Sequence, residues 1–182
     1  MSVLKKPTSV MVFASVLFDE SLISESDLLD RFQAKFGTSH CAYHPFCPMK
    51  EYYSKEMGIT QNLKRVFFFS HKLFSRDILV ESKKWAINLE AEFTKLEKRK
   101  VNFDVGVISL ENLQLATGKN FTHRVYLSDN IYSDLTLIFQ NDSFITLPWS
   151  YPDYSHPEII NIFNWNRRLL QNLLEENSLL TH

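Results

Sequence analysis

Three acidic residues outside the expected amphipathic helices have side chains suited to catalysis: Glu56, Asp104 and Asp153. Carboxylates that fold together bind a divalent cation or divide the roles of general acid and general base. A structural role is the alternative, because aspartate often organises turns and Asp153 directly follows Pro152. The catalytic interpretation predicts that the three carboxylates converge, whereas the structural one gives each a local partner.

Basic side chains come close together in the chain at Lys119, His123 and Arg124. Arginine offers a bidentate fork to phosphate or carboxylate, and lysine adds a point charge. If the basic group faces the carboxylates across a cleft, it suits an anionic ligand. The alternative is a surface turn in which these residues form ordinary salt bridges. Tyrosines either line such a pocket or pack at a sheet edge. The expected ligand-binding residues are Asn102, Lys119, His123, Arg124, Tyr126 and Tyr154.

The glycines exclude the common nucleotide-binding motifs. Only four occur, at Gly37, Gly58, Gly106 and Gly118, and a dinucleotide fingerprint needs three that are closely spaced. Gly118-Lys119 superficially resembles a P-loop, but Leu113 occupies the position of the earlier glycine and Asn120 that of the Ser or Thr. We therefore expect no NAD, FAD or P-loop nucleotide, and a divalent metal stays open as a cofactor.

One segment combines residue types that suit zinc: His40, Cys41, His44 and Cys47. In a strand, alternate side chains point to opposite faces, so the two cysteines would point away from the two histidines. The spacing also differs from that of a zinc knuckle. No metal ligand is assigned on this basis.

Composition indicates one globular domain over residues 1–182, with residues 177–182 as a frayed tail. The formal net charge of -1 gives no basic field, so a nucleic-acid partner is not expected. Two cysteines are too few for a disulfide framework, and no apolar run reaches the roughly 18 residues of a membrane span. The apolar run Val10–Phe18 is interpreted as a strand rather than a signal peptide, and the expected compartment is the cytoplasm.

Hydrophobic periodicity predicts the order of the elements. Ser24 and Ser75 are expected to cap two helices, the second ending in Lys95–Lys100, and Ser155 with Glu158 forms a capping box for a third. The expected strands are Val10–Phe18, His40–Phe46, Lys64–Ser70, Val101–Leu110, Leu113–Thr117, Arg124–Leu127, Leu135–Gln140 and Phe144–Leu147. We predict an α+β fold with a ferredoxin-like β-α-β-β-α-β start, extended by an antiparallel meander and a C-terminal helix, with helices mainly on one face of the sheet.

Three segments together resemble the bacterial and archaeal domain-of-unknown-function family numbered 4416. They are YYSKEMG at Tyr52–Gly58, KRKVNFDVGVISLENLQLATGKNFTHRVYL at Lys98–Leu127, and NIYSDLTLIF followed by LPWSYPDYS at Leu147–Ser155. The resemblance runs from the first strand into the last helix. It implies a single-domain protein of about this length and does not supply a reaction.

The chain also departs from that family pattern. Members usually read N-x-D-P-G-Y, whereas Val105 and Val107 stand here in place of the Pro and the Tyr, and Gly118 stands where members commonly have Thr. We expect a less rigid turn at Val105, because proline restricts the chain. If the family's Tyr contacts a ligand, this chain lacks that contact at Val107.

These observations favour a cytoplasmic small-molecule-binding domain, either an enzyme or a non-catalytic binder, for an anionic or phosphorylated ligand. One alternative is an interaction module that binds protein or single-stranded RNA through an exposed sheet face. Another is a structural module in which the apolar C-terminal helix packs against a second copy, so a homo-oligomer stays open.

Overall fold

The computed structural model describes residues 3–58 and 62–180. Its strands are β1 (Val10–Asp19), β2 (Ser39–Ala42), β3 (Leu63–Phe74), β4 (Thr94–Lys95), β5 (Lys98–Arg99), β6 (Val101–Ile108), β7 (Asn112–Thr117), β8 (Arg124–Ser128), β9 (Ile131–Gln140) and β10 (Ser143–Thr146). Its helices are α1 (Glu25–Phe36), α2 (Lys50–Met57), α3 (Ile78–Glu92), α4 (Pro152–Ser155) and α5 (Pro157–Leu180).

Eight strands form one antiparallel sheet in the order β10-β9-β7-β6-β1-β3-β2, and β8 also pairs with β9. Helix α1 connects β1 to β2 with β3 between them, and α3 leads from β3 towards β6 with β1 between them. Two such interleaved crossovers define the ferredoxin-like unit. The predicted α+β class, the ferredoxin-like start, the meander and the C-terminal helix are all confirmed.

Strand β1 is buried along its whole length, and its side chains alternate between two cores. Val10, Val12, Ala14, Val16 and Phe18 face the core that α1 and α3 cover. Met11 and Phe13 face a second core beneath α5. Burying a large apolar side chain contributes about 1.5–3 kcal/mol, so β1 stabilises both layers at once.

Helix α5 covers the sheet face opposite α1 and α3, so the prediction of helices mainly on one face was wrong. Its apolar stripe includes Ile159, Phe163 and Leu170, all buried. The Phe163 ring packs edge-on against Phe13, with 5.1 Å between ring centroids, and against Phe67 at 5.7 Å. The 24 residues of α5 therefore use their apolar stripe within the same chain.

The structure confirms that the first helix starts after Ser24, but it corrects the capping role of that serine and the starts predicted for the other two helices. Ser24 precedes α1, but its hydroxyl contacts the Ser26 hydroxyl rather than a backbone N–H. Asp77, not Ser75, immediately precedes α3. Ser155 ends α4, where its hydroxyl donates to the Pro152 carbonyl, so it forms no capping box with Glu158. Serine hydroxyls bond to several nearby backbone groups, and sequence spacing alone does not choose among them.

The predicted basic end of the second helix was also wrong. Helix α3 stops at Glu92, and the chain turns into the small β4–β5 hairpin. Its two turn residues, Leu96 and Glu97, have φ angles of 49° and 60°. Two successive positive φ values are typical of the tight turns that match strand twist, even though these residue types rarely adopt them.

The C-terminal helix continues through Leu180, and residues 181–182 of the predicted tail lie outside the described residues. No helix in the described part of the chain has the length and apolar character needed to cross a membrane.

Gly106 lies in the middle of β6, where the backbone of β7 and the ring of Phe13 leave no room for a side chain. A Cβ atom there would lie 2.4 Å from the Gln114 carbonyl oxygen and 2.6 Å from Cε1 of Phe13. Contacts this short force backbone or core movement.

Gly106→Ala is expected to lower the free energy of unfolding by about 3 kcal/mol, because the new methyl group overpacks the junction of β1, β6 and β7. Urea denaturation followed by circular dichroism measures this. Gly118→Ala is the matched control, since its Cβ would meet only the Asn130 carbonyl oxygen, at 4.0 Å. Equal stability of the two variants would contradict the packing argument.

Candidate functional site

The sheet face beneath α5 is apolar at one end and polar at the other. In β6, Val101, Phe103, Val105 and Val107 belong to the core beneath α1 and α3. Strand alternation therefore directs Asn102 and Asp104 to the α5 face. Ser15 pairs directly with Asp104 across β1 and β6. The polar end thus begins where the phenylalanine-lined core stops.

Arg65 of β3 is the cation of this polar end, and its side chain is only 3% exposed. Its Nε donates to the Ser15 hydroxyl at 3.1 Å, and its Nη1 donates to the Phe46 carbonyl at 3.3 Å. The guanidinium carbon also lies 4.6 Å from the Phe67 ring centroid. These contacts hold a buried positive charge in a fixed orientation.

Helices α2 and α4 bring two tyrosines and a carboxylate to this end of the sheet. Asp153 and Tyr154 of α4 are both buried. Nη1 of Arg65 lies 3.6 Å from Oδ1 of Asp153, and the guanidinium carbon lies 5.8 Å from the Tyr154 ring centroid. Tyr53 of α2 is half-buried, and it lies close enough to Asp104 and Asp153 for their negative charges to raise the pKa of its hydroxyl. We call Tyr53, Arg65, Asp104, Asp153 and Tyr154 the acid–tyrosine site.

Two polar atoms of the acid–tyrosine site are buried without a hydrogen-bond partner in the described residues: Oδ1 of Asp153 and the hydroxyl of Tyr154. The 3.6 Å approach of Arg65 is longer than a hydrogen bond. Buried polar atoms without a partner are rare, and each unmade bond costs about 1–3 kcal/mol.

The negative charge of Asp104 acts on three other members of the acid–tyrosine site. Burial raises the pKa of the Asp153 carboxyl; Arg65 opposes that rise and Asp104 adds to it. Burial also raises the pKa values of the Tyr53 and Tyr154 hydroxyls, and in both cases the charge of Asp104 raises them further. Folding therefore brings Asp104 near Asp153, although 49 residues separate them in sequence.

Glu56, the third predicted carboxylate, lies at the margin of this group. It accepts a hydrogen bond from Nη2 of Arg99 at 2.7 Å. The same guanidinium contacts Glu90 at 3.2 Å, and Glu90 accepts the backbone N–H of Phe103 at 2.6 Å. The charge of Glu56 raises the pKa of Tyr53, but only as a minor cause after burial and the two aspartates. Its closest partner is therefore an arginine of the β4–β5 hairpin.

A second polar network lies on β8 and β9 around Asp134, which is 1% exposed. Nε of Arg124 donates to Asp134 at 2.8 Å, and Nε2 of His123 lies 3.3 Å from the same oxygen. Nη2 of Arg124 donates to the Tyr151 hydroxyl at 2.6 Å. The His123 ring stacks on Trp149, with 4.9 Å between centroids. We call these five residues the Asp134 network.

The two groups adjoin. Burial raises the pKa of the Tyr151 hydroxyl, Arg124 lowers it, and the charges of Asp134 and Asp104 raise it. Tyr151 and Asp153 also belong to one short segment that spans both groups. The predicted residues Asp104, Asp153, Tyr154, His123 and Arg124 thus lie in two neighbouring polar groups, with Asn102 and Glu56 beside the first.

Lys119 and Tyr126, two of the predicted ligand-binding residues, belong to neither polar group. Lys119 is exposed, and only its carbonyl contacts the Asp134 network, by accepting a hydrogen bond from Arg124 at 2.9 Å. Tyr126 is 56% exposed and packs edge-on against Tyr132. Asn102 is buried and donates to Asp104 at 2.9 Å, which fixes that carboxylate.

Sequence reasoning missed Arg65 and Asp134. Both are charged residues inside otherwise apolar strands, LKRVFFF and IYSDLTLIF, and a buried charge in a strand is rare unless it is paired. That signal was present in the sequence.

The expected turn at Val105 was wrong, because Val105 lies within β6 opposite Ala14. Val107 faces the α1–α3 core, on the opposite face of the sheet from Asp104.

In the described residues, no three His, Cys, Asp or Glu side chains are placed to share a metal ion. Asp104 and Asp153 would supply two carboxylates to a cation, with Arg65 beside them. Mg²⁺ is often held by two carboxylates with water completing its coordination, but the positive charge of Arg65 beside this pair disfavours a cation there.

Asp104→Asn is expected to lower the pKa of Asp153, because removing a nearby negative charge makes the ionised carboxylate less unfavourable. Carbon-detected NMR titration of the Asp153 carboxyl measures the shift. Asp129→Asn is the control, because Asp129 lies in the β8–β9 turn and its carboxylate pairs with Lys84 of α3. An unchanged Asp153 titration in Asp104→Asn would show that the two carboxyls are not coupled.

Comparison with known families gives one match. The model of the family described as "Domain of unknown function (DUF4416)" matches residues 8–169, which include the acid–tyrosine site and the Asp134 network. Comparison with curated proteins and with solved structures finds no match. The matched segment runs from just before β1 to the middle of α5 and contains every residue of the predicted site. The chain therefore belongs to the DUF4416 family, as the sequence motifs predicted.

Proposed function

We propose that this chain binds a small anionic molecule at the acid–tyrosine site. The observation that carries the proposal is the pair of buried atoms without a hydrogen-bond partner among the described residues, Oδ1 of Asp153 and the Tyr154 hydroxyl. A ligand that completes these hydrogen bonds gains their free energy.

The chemistry of these groups favours an oxygen anion. Arg65 and Tyr154 are hydrogen-bond donors. Burial and Asp104 raise the pKa of Asp153, while Arg65 opposes that rise. A carboxylate or phosphate oxygen accepts from both donors, and Arg65 supplies the opposite charge. Arg124 is less available, because three of its nitrogens already donate within the Asp134 network or to Lys119.

Asp104 gives the site a second role. It is half-buried and accepts from Asn102, so it offers the site a hydrogen-bond acceptor in a fixed position. Two carboxyls in unlike surroundings are the arrangement by which active sites divide acid and base work. If the ligand is converted, Asp153 is the acid and Asp104 the base in this proposal.

The two alternatives have less support. An interaction module that binds through an open sheet face would have only a small face to use, because α1 and α3 cover one side of the sheet centre and α5 the other, which leaves exposure mainly at the outer strand β8. An oligomer formed through the apolar stripe of α5 would compete with the packing of Phe163 against the sheet. Light scattering tests the second alternative directly.

We also propose the cytoplasm as the compartment. Cys41 and Cys47 are both free thiols and both partly buried. Unpaired cysteines suit a reducing environment, where disulfides rarely form.

A thermal-shift screen tests the proposed ligand class with small carboxylates, phosphorylated metabolites, nucleotides and divalent metals. Anionic compounds that bind the site are expected to raise the melting temperature by mass action. Tyr154→Phe should weaken binding of a hit about tenfold, since one hydrogen bond to a charged group is lost. The same variant should be as stable as the parent without ligand, or more stable by up to about 2 kcal/mol, because it removes an unpaired buried hydroxyl.

Tyr132→Phe is the matched control and should leave binding of the hit unchanged. Calorimetric titration of the parent and both variants separates affinity from stability. A hit whose affinity is the same in Tyr154→Phe and the parent would place the ligand elsewhere, and a panel with no anionic hit would refute the proposed class.

A further inference from the structure

An open-sided cavity of about 430 Å³ lies between the edge strand β2 and α5, with Trp165 half exposed at its rim. His40 and Ala42 line it from β2, and Ile162, Trp165 and Asn166 line it from α5, with Glu158 at one end. It shares no residue with the acid–tyrosine site or the Asp134 network. Its volume is in the range of cavities that hold small organic molecules.

Two of the lining residues have a buried polar atom without a hydrogen-bond partner among the described residues: Nε2 of His40 and Oδ1 of Asn166. Asn166 is completely buried, and its Nδ2 donates to the Ile162 carbonyl at 2.9 Å. Its side-chain oxygen therefore remains a hydrogen-bond acceptor without a donor among the described residues. Such atoms are normally satisfied, so a ligand with matching polar groups would be favoured here.

The His40 ring is held firmly in position. Its Nδ1 lies 2.8 Å from Nε2 of His71, and its ring stacks on Phe69 with 5.3 Å between centroids. Trp165 packs edge-on against it at 5.1 Å. Burial and the neighbouring His71 lower the pKa of His40, which keeps the imidazole neutral near pH 7. Its Nε2 then offers one donor or one acceptor, according to the tautomer.

We infer that this cavity binds a small, neutral aromatic molecule that carries an amide or lactam group. The rings of His40 and Trp165 and the side chain of Ile162 supply an apolar and aromatic lining. An amide presents an N–H to Oδ1 of Asn166 and meets Nε2 of His40 in either tautomer, since it has both a donor and an acceptor. The carboxylate of Glu158, which contacts His44 at 2.7 Å, disfavours an anion.

This ligand class differs from the anion proposed for the acid–tyrosine site, and the two inferences stand independently. The cavity uses an aromatic lining and two neutral polar atoms, whereas the other site uses a buried guanidinium and carboxyls. A neutral amide should therefore leave the acid–tyrosine site empty.

Benzamide is the probe for this cavity, with benzoate and ethylbenzene as analogues that lack the neutral amide. Two-dimensional NMR of the whole chain, with the Trp165 indole N–H assigned through Trp165→Phe, follows the titration. Benzamide should bind with millimolar affinity and shift the Trp165 signal, and both analogues should bind at least about tenfold more weakly.

Two variants locate the polar contacts. Asn166→Leu keeps a similar volume and removes the acceptor, and His40→Phe keeps the stacked ring and removes Nε2. Each should weaken benzamide about tenfold while the spectrum stays that of a folded chain. Asn88→Leu, at an exposed position on α3, is the matched control and should bind benzamide as the parent does.

The proposal is overturned if benzamide does not shift Trp165, or if ethylbenzene binds as tightly as benzamide. It also fails if Asn166→Leu, folded, binds benzamide with the parent's affinity. A Trp165 signal that depends on protein concentration without ligand would show instead that a second copy of the chain fills the cavity.

Discussion

The two-sided burial of β1 is the constraint on which the rest of this structure depends. All ten of its residues are buried, so an apolar layer must cover each of its faces. Helices α1 and α3 meet that requirement on one side, and α5 meets it on the other. Gly106 belongs to the same constraint, since the ring of Phe13 occupies the space where its side chain would be. Because both faces are covered, ligands have access mainly at the ends and edges of the sheet.

Where the phenylalanine-lined core beneath α5 ends, charged groups begin. Arg65, Asp104 and Asp153 are removed from water in part or almost entirely, and burying charges is unfavourable unless they are paired and hydrogen-bonded. Arg65 donates to Ser15 and Phe46, but its approach to Asp153 is long, and the Tyr154 hydroxyl has no hydrogen-bond partner among the described residues. A polar cluster with bonds left unmade is weak evidence for stability and better evidence for binding, because structural clusters are normally complete.

The sequence predicted the order of elements well because periodicity and turn residues act locally. Val10–Phe18 and Lys64–Ser70 were recognised as strands from their residue types, and the ferredoxin-like order followed from the alternation of strands and helices. Details that depend on distant contacts were not accessible. The β4–β5 hairpin places Leu96 at positive φ, and its Arg99 contacts Glu56 and Glu90 from other elements.

In the candidate site too, the sequence predicted what depends on residue type and missed what depends on distant contacts. Asp104 and Asp153 were chosen from their residue types, and the structure brings them close enough for one to raise the pKa of the other. Some of the predicted charges also have their own partners, as Glu56 with Arg99 and Arg124 with Asp134 show. Arg65 and Asp134 were overlooked because their strands read as apolar. Residue type identified the candidate groups, but only the sheet register decides which charges share a face.

Strand β6 pairs with β1 from Val101 to Ile108 but with β7 only from Gly106 to Ile108. The ferredoxin-like unit and the meander are therefore joined, within the sheet, through a seam of three residue pairs. Below that seam, the outer edge of β6 is capped at Phe103 by the Glu90 carboxylate rather than by a strand. Asp104 lies in this part of β6, which is not paired with β7. A small change in the angle between the ferredoxin-like unit and the meander would therefore alter the surroundings of the Asp104 carboxylate while leaving both cores intact.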